Sequence, residues 1–155
     1  MNLFILDYDF NKCAQYHNDK HVVKMILEGI QLLNNAASIR SKTYVPVYKT
    51  THLNHPVSKW VSESKENFDW QFNLFKSLCQ EYTFRYNKIH KCQSFTSILN
   101  SLEAKFPSQS LTPFALCMPD QYKTDDAVES YRNYYLAEKT KIAKWTKREK
   151  PDWWI

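Results

Sequence analysis

Apolar residues recur at helical spacing along most of this chain, and polar or proline-containing stretches divide the recurrences. The first nine residues read as a short extended piece, after which a helix is predicted from Asn11 to about Ala37. At about 100° per residue, Val22, Val23, Ile26, Leu27, Ile30 and Leu33 share one side of it. His17, His21, Lys24 and Glu28 fall within about 60° of one another on the other side. That second side is expected to face solvent or a cleft. Residues 38 to 56 read as a loop with room for a short strand around Tyr44 to Tyr48, and Pro56 suits the first turn of a second helix. From there to about Lys88, Trp60, Val61, Ser64, Phe68, Phe72, Phe75, Cys79, Tyr82 and Tyr86 repeat at helical spacing, which predicts a central helix of about 45 Å.

A short helix is expected from Ser94, burying Ile98, Leu99 and Leu102, before Pro107, Pro113 and Pro119 impose an extended loop. Asp126 followed by Glu129 matches a capping box. It opens a last helix whose inner side would hold Ala127, Val128, Tyr131, Tyr135, Ile142 and Trp145. The closing Pro151-Asp152-Trp153-Trp154-Ile155 is too apolar to stay in water and should dock on the core. The pattern predicts a mainly α, single-domain protein over residues 1–155, with about four helices, one of them long and central, and long Pro-containing loops.

Composition sharpens this picture by exclusion. Hydrophobic residues make up 43% of the 155 and aromatics 15%, enough for a packed core. The single glycine excludes phosphate loops and dinucleotide fingerprints, which need several. The four cysteines, Cys13, Cys79, Cys92 and Cys117, form no paired motif and are expected to be free thiols. No apolar run is long enough to cross a bilayer, so a cytoplasmic protein is expected. The net charge of +5 matches the excess between Arg132 and Lys150, where seven basic residues face two glutamates. With Tyr134, Tyr135 and Trp145 interleaved, that segment suits phosphate binding with base stacking, or else a solvated helix face.

The stripe His17, His21, Lys24, Glu28 is the densest set of reactive side chains. A carboxylate flanked by cations can stabilise positive charge at a sugar carbon or position water, and Lys or His can hold phosphate. The same spacing also describes a plain Lys24–Glu28 surface pair. Cys13, His17 and His21 recur every four residues, but helix spacing supplies at most three ligands and zinc signatures are absent. Neither a metal nor another cofactor is expected. Around the end of the central helix, Tyr82 and Tyr86 are expected to point inward. Arg85 and Lys88, with His90 nearby, would then serve a phosphate or Glu81. The loop Thr51-His52-Leu53-Asn54-His55-Pro56 places His55 just before a helix N-terminus, suited to an anion.

Several runs together resemble a family of small phage and bacterial proteins associated with pyrimidine-dimer DNA glycosylase, or endonuclease V. They are Asp19-Lys20-His21-Val22-Val23-Lys24-Met25-Ile26-Leu27-Glu28, Thr51 to Pro56, Glu81 to Lys88 with His90, Met118-Pro119-Asp120 with Tyr122, and Tyr131 to Tyr135. The resemblance implies a helical, basic protein that cleaves the bond between base and sugar with a helix-borne glutamate and an N-terminal α-amine. His21 and Glu28 are similar to that family's histidine-to-glutamate spacing. On this basis Glu28 is the catalytic carboxylate with His21 and His17, while Lys24, Lys20, Arg85, His90, His55, Arg132 and Tyr82 bind substrate or phosphate.

Where the family has a threonine amine, this chain has Asn2, so the expected mechanism is simple N-glycosidic hydrolysis with Glu28 positioning water and no need for a free amine. The partner is nucleic acid or a small nucleotide, in the host cytoplasm if the protein is phage-encoded, and no membrane is involved. The oligomeric state stays open. Two other functions fit the same residues: a counter-defence protein that binds or cleaves a cyclic or ADP-ribose-type signalling nucleotide, and a non-catalytic basic nucleic-acid binder. A duplex glycosylase would carry a basic groove lined by Arg132, Lys139, Lys144 and Lys147, with Glu28 at its floor. A nucleotide protein would carry a closed aromatic pocket of about 300 to 1,000 Å³.

Overall fold

The helical pattern of residues 10 to 40 is interrupted at His17 and Asn18, both extended in the computed structural model, which describes all of residues 1–155. Two helices replace the one expected. Helix α1 spans Phe10–Tyr16 and is capped by Asp9, whose carboxylate accepts from the amides of Asn11 and Lys12. Helix α2 spans Asp19–Arg40 and is capped by Asn18, whose side chain accepts from the amide of His21. The backbone groups freed at the break find partners from distant parts of the chain. The Tyr16 carbonyl accepts from Trp145 Nε1 at 2.9 Å, the His17 carbonyl from Arg85 at 2.9 Å, and the Asp19 amide donates to the Lys144 carbonyl.

The expected 45 Å helix also breaks, at Ser64. Helix α3 covers Pro56–Glu63 with Pro56 in its first turn, and α4 covers Lys65–Tyr86, about 33 Å long. Ser64 is extended, caps α4 through its hydroxyl, and pairs with Ser108 in an isolated bridge; the amides of Lys65 and Glu66 donate to the carbonyls of Ser108 and Gln109. The Pro-rich return loop therefore takes over the hydrogen bonds a continuous helix would have made. After a 3₁₀ turn at Lys91–Phe95, α5 spans Thr96–Asn100.

Helix α6, Ala127–Glu138, starts at Asp126 as expected, with the Asp126 carboxylate accepting from the Glu129 amide. It stops seven residues before Trp145, so the basic segment runs off the helix through a 3₁₀ turn at Thr140–Ile142. The protein is thus mainly helical, with six α-helices where about four are expected, and with no strand where Tyr44 to Tyr48 left room for one. No helix is long and apolar enough to cross a membrane.

Helix α4 packs against α1, α2 and α3, while α2 packs against α3 and α4 and is buried on more of its circumference than its apolar stripe predicts. Val22, Ile26, Ile30 and Leu33 are buried as expected, but so are His21, Met25, Leu32, Asn34 and Asn35, while Val23 and Leu27 are exposed. One reason is the N-terminal segment. It runs antiparallel to α2, with Asn2 at Glu28 and the Phe4 ring stacked on His21, and thereby covers a face assigned to solvent. Gly29 is used for close approach. A Cβ there would lie 3.0 Å from Gln71 Nε2 and 3.6 Å from the Phe75 ring of α4. The apolar tail docks as expected, with the Trp153 and Trp154 rings edge-on to Tyr135, each 6.3 Å away.

A buried ionic network fastens the break to α4. Arg85 is 2% exposed and donates to Glu81 Oε1, Asp19 Oδ1 and the carbonyls of His17 and Gln15. Glu81, itself buried, also accepts two bonds from Arg148, and Asp19 accepts from the amide and hydroxyl of Thr146. Replacing Arg85 by Met takes the guanidinium donor from two carbonyls and leaves Glu81 and Asp19 each short of one charged partner. Urea unfolding of Arg85→Met should show a loss of about 3–5 kcal/mol, with Arg85→Lys recovering only part of it because an ammonium cannot span the same four acceptors. An unchanged midpoint would remove the network from the account.

Candidate functional site

Glu28 sits in the middle of α2 with its side chain 14% exposed. Its Oε2 accepts from the backbone amide of Asn2 at 3.1 Å, and Lys24 Nζ lies 3.5 Å from Oε1. Asn2 is anchored a second time by its Nδ2, which donates to the Cys117 carbonyl at 3.1 Å, while its Oδ1 accepts from the amide of its neighbour Leu3 at 2.7 Å. The first residues are therefore held by one bond to the carboxylate and one to the Cys117 carbonyl. His55 completes the cluster from α3, capping that helix by accepting from the Val57 amide on Nδ1. Burial lowers its pKa, as do the amine of Met1 and His52, while Glu28 opposes them.

The structure thus brings Glu28, Lys24 and His55 together and adds the N-terminal segment, which the spacing of polar residues gave no reason to include. His17 and His21 lie elsewhere. His17 is the residue after α1, fully buried, with Nδ1 2.7 Å from the Cys13 carbonyl and no partner for Nε2. His21 is 6% exposed, stacked on Phe4 at 4.6 Å, with Nδ1 2.7 Å from the Tyr135 hydroxyl. Burial lowers the His17 pKa to about 4. Burial, joined by the charges of His17, Lys139 and Lys24, lowers that of His21 to about 3. Both rings are neutral near pH 7. The expected four-residue stripe fails because residue 17 is outside the helix and residue 21 is covered by Phe4 and Tyr135.

The remaining candidates separate in the same way. Arg85 is enclosed in the ionic network, so the expected inward Tyr82 and Tyr86 and outward Arg85 are reversed: both tyrosines are half-buried and Arg85 and Glu81 fully so. Tyr82 packs on Tyr86 and on His90, whose Nδ1 accepts from the Cys92 amide and caps the turn that follows. Arg132 donates to the Leu6 carbonyl and Asp7 and lies over Trp153. Lys147 donates to the Phe84 carbonyl at the end of α4, and Lys20 is exposed. The cation paired with Glu28 is Lys24, while Lys139, expected in a basic groove with Arg132, Lys144 and Lys147, lies 5.8 Å from the Phe4 ring centre.

No three His, Cys, Asp or Glu side chains are arranged to hold a metal ion. The five principal clefts, including a cavity of about 340 Å³ between α4 and residues 99–106, are lined by residues other than Glu28. Chemically, the cluster offers a carboxylate, an ammonium, an imidazole and a backbone nitrogen within one short stretch of surface.

A family model described as pyrimidine dimer DNA glycosylase matches residues 1–94. No curated protein and no solved structure matches the chain. The matched region contains Asn2, Lys24, Glu28 and His55.

The two buried imidazoles link stability to acid. Each has a folded pKa below the ordinary value of about 6.5, so the unfolded chain binds more protons between that value and about 4 for His17, or about 3 for His21. Their contribution is complete above pH 6.5 and is lost as the pH falls. Chemical unfolding at pH 7.5, 6, 5 and 4.5 should give stability that declines from about pH 6.5, each histidine adding a slope approaching 1.4 kcal/mol per pH unit. His17→Gln and His21→Gln should each flatten that decline. Stability that is level down to the carboxylate range would contradict the burial argument.

Proposed function

Because the chain belongs to the pyrimidine dimer DNA glycosylase family, we propose that it cleaves the base–sugar bond at a damaged pyrimidine in DNA, with Glu28 as the catalytic carboxylate. The observation that carries this reading is the 3.1 Å bond from the Asn2 nitrogen to Glu28 Oε2. With Met1 removed, that nitrogen would be an α-amine facing the carboxylate. This favours an amine-assisted route over the water-only hydrolysis expected from the Asn2 departure.

In that route the neutral amine attacks C1′ of the deoxyribose as the C1′–N bond breaks. The bond electrons leave with the base, which takes up a proton. The amine's proton passes to Glu28, whose negative charge also stabilises the positive charge developing on the sugar. α-Amines as a class titrate close to neutrality, so a usable fraction is unprotonated where a lysine would be almost wholly charged. Lys24 is placed to hold a flanking phosphate, and His55 borders the same face.

That none of the five principal clefts is lined by Glu28 supports a polymer over a pocket-bound nucleotide as substrate. Cavities large enough for a free nucleotide exist, but they are lined by other residues. Glu28→Gln should keep the fold and keep affinity for ultraviolet-irradiated duplex DNA, while cleavage of the base–sugar bond falls at least 100-fold. A base cut at a dimer stays joined to its partner base, so the measurement is chromatographic quantification of base released after photoreversal of the dimers, beside a binding titration. Undiminished release from the variant would take Glu28 out of the chemistry.

A further inference from the structure

Four rings follow one another from the interior to the surface beside the proposed site. His21 and Phe4 are 4.6 Å apart at 14°, Phe4 and Tyr134 are 6.2 Å apart at 28°, and Tyr134 and Tyr122 are 5.6 Å apart at 32°. The inner two are buried and the outer two half-exposed. Lys139 Nζ stands 4.8 Å from the Tyr134 ring centre and 5.8 Å from that of Phe4. Tyr122 is held from the side, its hydroxyl donating to Glu138 Oε1 at 2.7 Å. Core aromatics in this protein usually meet edge-on or at wide tilts. Here the succession is closer to parallel, and although Tyr134 and Tyr122 pack against the edge of the core, both stay partly exposed with a cation beside them.

The row is continuous with the proposed site. Phe4 is two residues from Asn2, and His21 precedes Glu28 by seven residues, about 10 Å of helix rise, or roughly three nucleotide steps along a strand. Tyr122, Tyr134 and Lys139 lie outside the residues matched by the family model, so that match assigns them nothing.

We propose that Tyr122, backed by Tyr134, forms a stacking platform for an unpaired nucleobase of the DNA strand, with Lys139 contacting the adjoining phosphate. The inference rests on the DNA-glycosylase reading and names where the strand is held. A ring face accepts any base, so the platform acts on affinity and placement and is not selective for one base. Its buried inner half, Phe4 on His21, stiffens the outer half. Glu138 beside Tyr122 turns phosphate away from that edge and toward Lys139.

The test is binding to a duplex with a short unpaired stretch, carrying a tetrahydrofuran abasic analogue and 2-aminopurine at one to five nucleotides from it. Wild-type protein should quench the fluorophore at one of these positions. Tyr122→Leu and Tyr134→Leu should each remove that quenching and weaken binding about 5- to 100-fold, while Tyr122→Phe and Tyr134→Phe keep both. Lys139→Gln should lower the salt dependence of binding by about one phosphate contact. Tyr122 is at the surface, so its Leu variant separates loss of stacking from loss of fold.

Wild-type affinity and quenching in the Leu variants would overturn the platform even if base release after photoreversal of irradiated DNA is intact. Absence of both binding and release in the wild-type protein would overturn the glycosylase reading and the platform with it.

Discussion

One guanidinium, taken out of water, determines how the first half of this chain is arranged. Arg85 reaches from α4 to the carbonyls of Gln15 and His17 and to the carboxylates of Asp19 and Glu81. Those carbonyls belong to the end of α1 and to the break, where an uninterrupted helix would have used them internally. By supplying their donors, Arg85 makes the bend affordable and aims α2 across the centre of the fold. Thr146 and Arg148 join the same network through Asp19 and Glu81, which brings the C-terminal segment over the junction. A buried charge of this kind adds little net stability compared with apolar packing, but its removal is costly, so it fixes one arrangement against others.

The position of Glu28 follows from that arrangement. With α2 directed by the break, a face remains along which the N-terminal segment runs, Phe4 meeting His21 and Asn2 meeting Glu28 about two turns further on. Phe4 and Leu6 are further tied to Cys13, whose thiol donates to the Phe4 carbonyl and accepts from the Leu6 amide. A flexible terminus would place its nitrogen anywhere. Here the side-chain bond of Asn2 to the Cys117 carbonyl helps hold it at the carboxylate, which is the kind of preorganisation a reaction between an amine and a sugar requires. The functional proposal therefore depends on packing decisions made far from the reacting groups.

Much of the fold was legible because it depends on local chemistry. Pro56 opening α3, Asp126 capping α6, and the docking of Trp153 and Trp154 are all consequences of backbone geometry or hydrophobicity that single residues carry. The two helix breaks were not legible, since His17, Asn18 and Ser64 suit a helix well enough in isolation and are extended only because Arg85, Trp145 and residues 108–109 offer bonds from a distance. The site divides along the same line. Lys24 and Glu28, four residues apart within α2, kept their expected relation. His17 and His21 did not, because one lies beyond the break and the other under a terminal segment whose path no periodicity reveals. Arg85 kept one of its two expected partners: an arginine among tyrosines near a helix end suggested a phosphate or Glu81, and the structure gives it Glu81 together with three further internal acceptors.

The account stands or falls on whether an amine at the start of the chain reacts beside Glu28. Borohydride reduction during incubation with ultraviolet-irradiated duplex DNA, followed by proteolysis and mass spectrometry of the adduct, tests this directly. The account predicts a covalent DNA–protein adduct whose modified nitrogen maps to Asn2, in protein shown by intact mass to lack Met1. Base release with no trapped adduct, or an adduct on the Lys24 side chain instead, would contradict it.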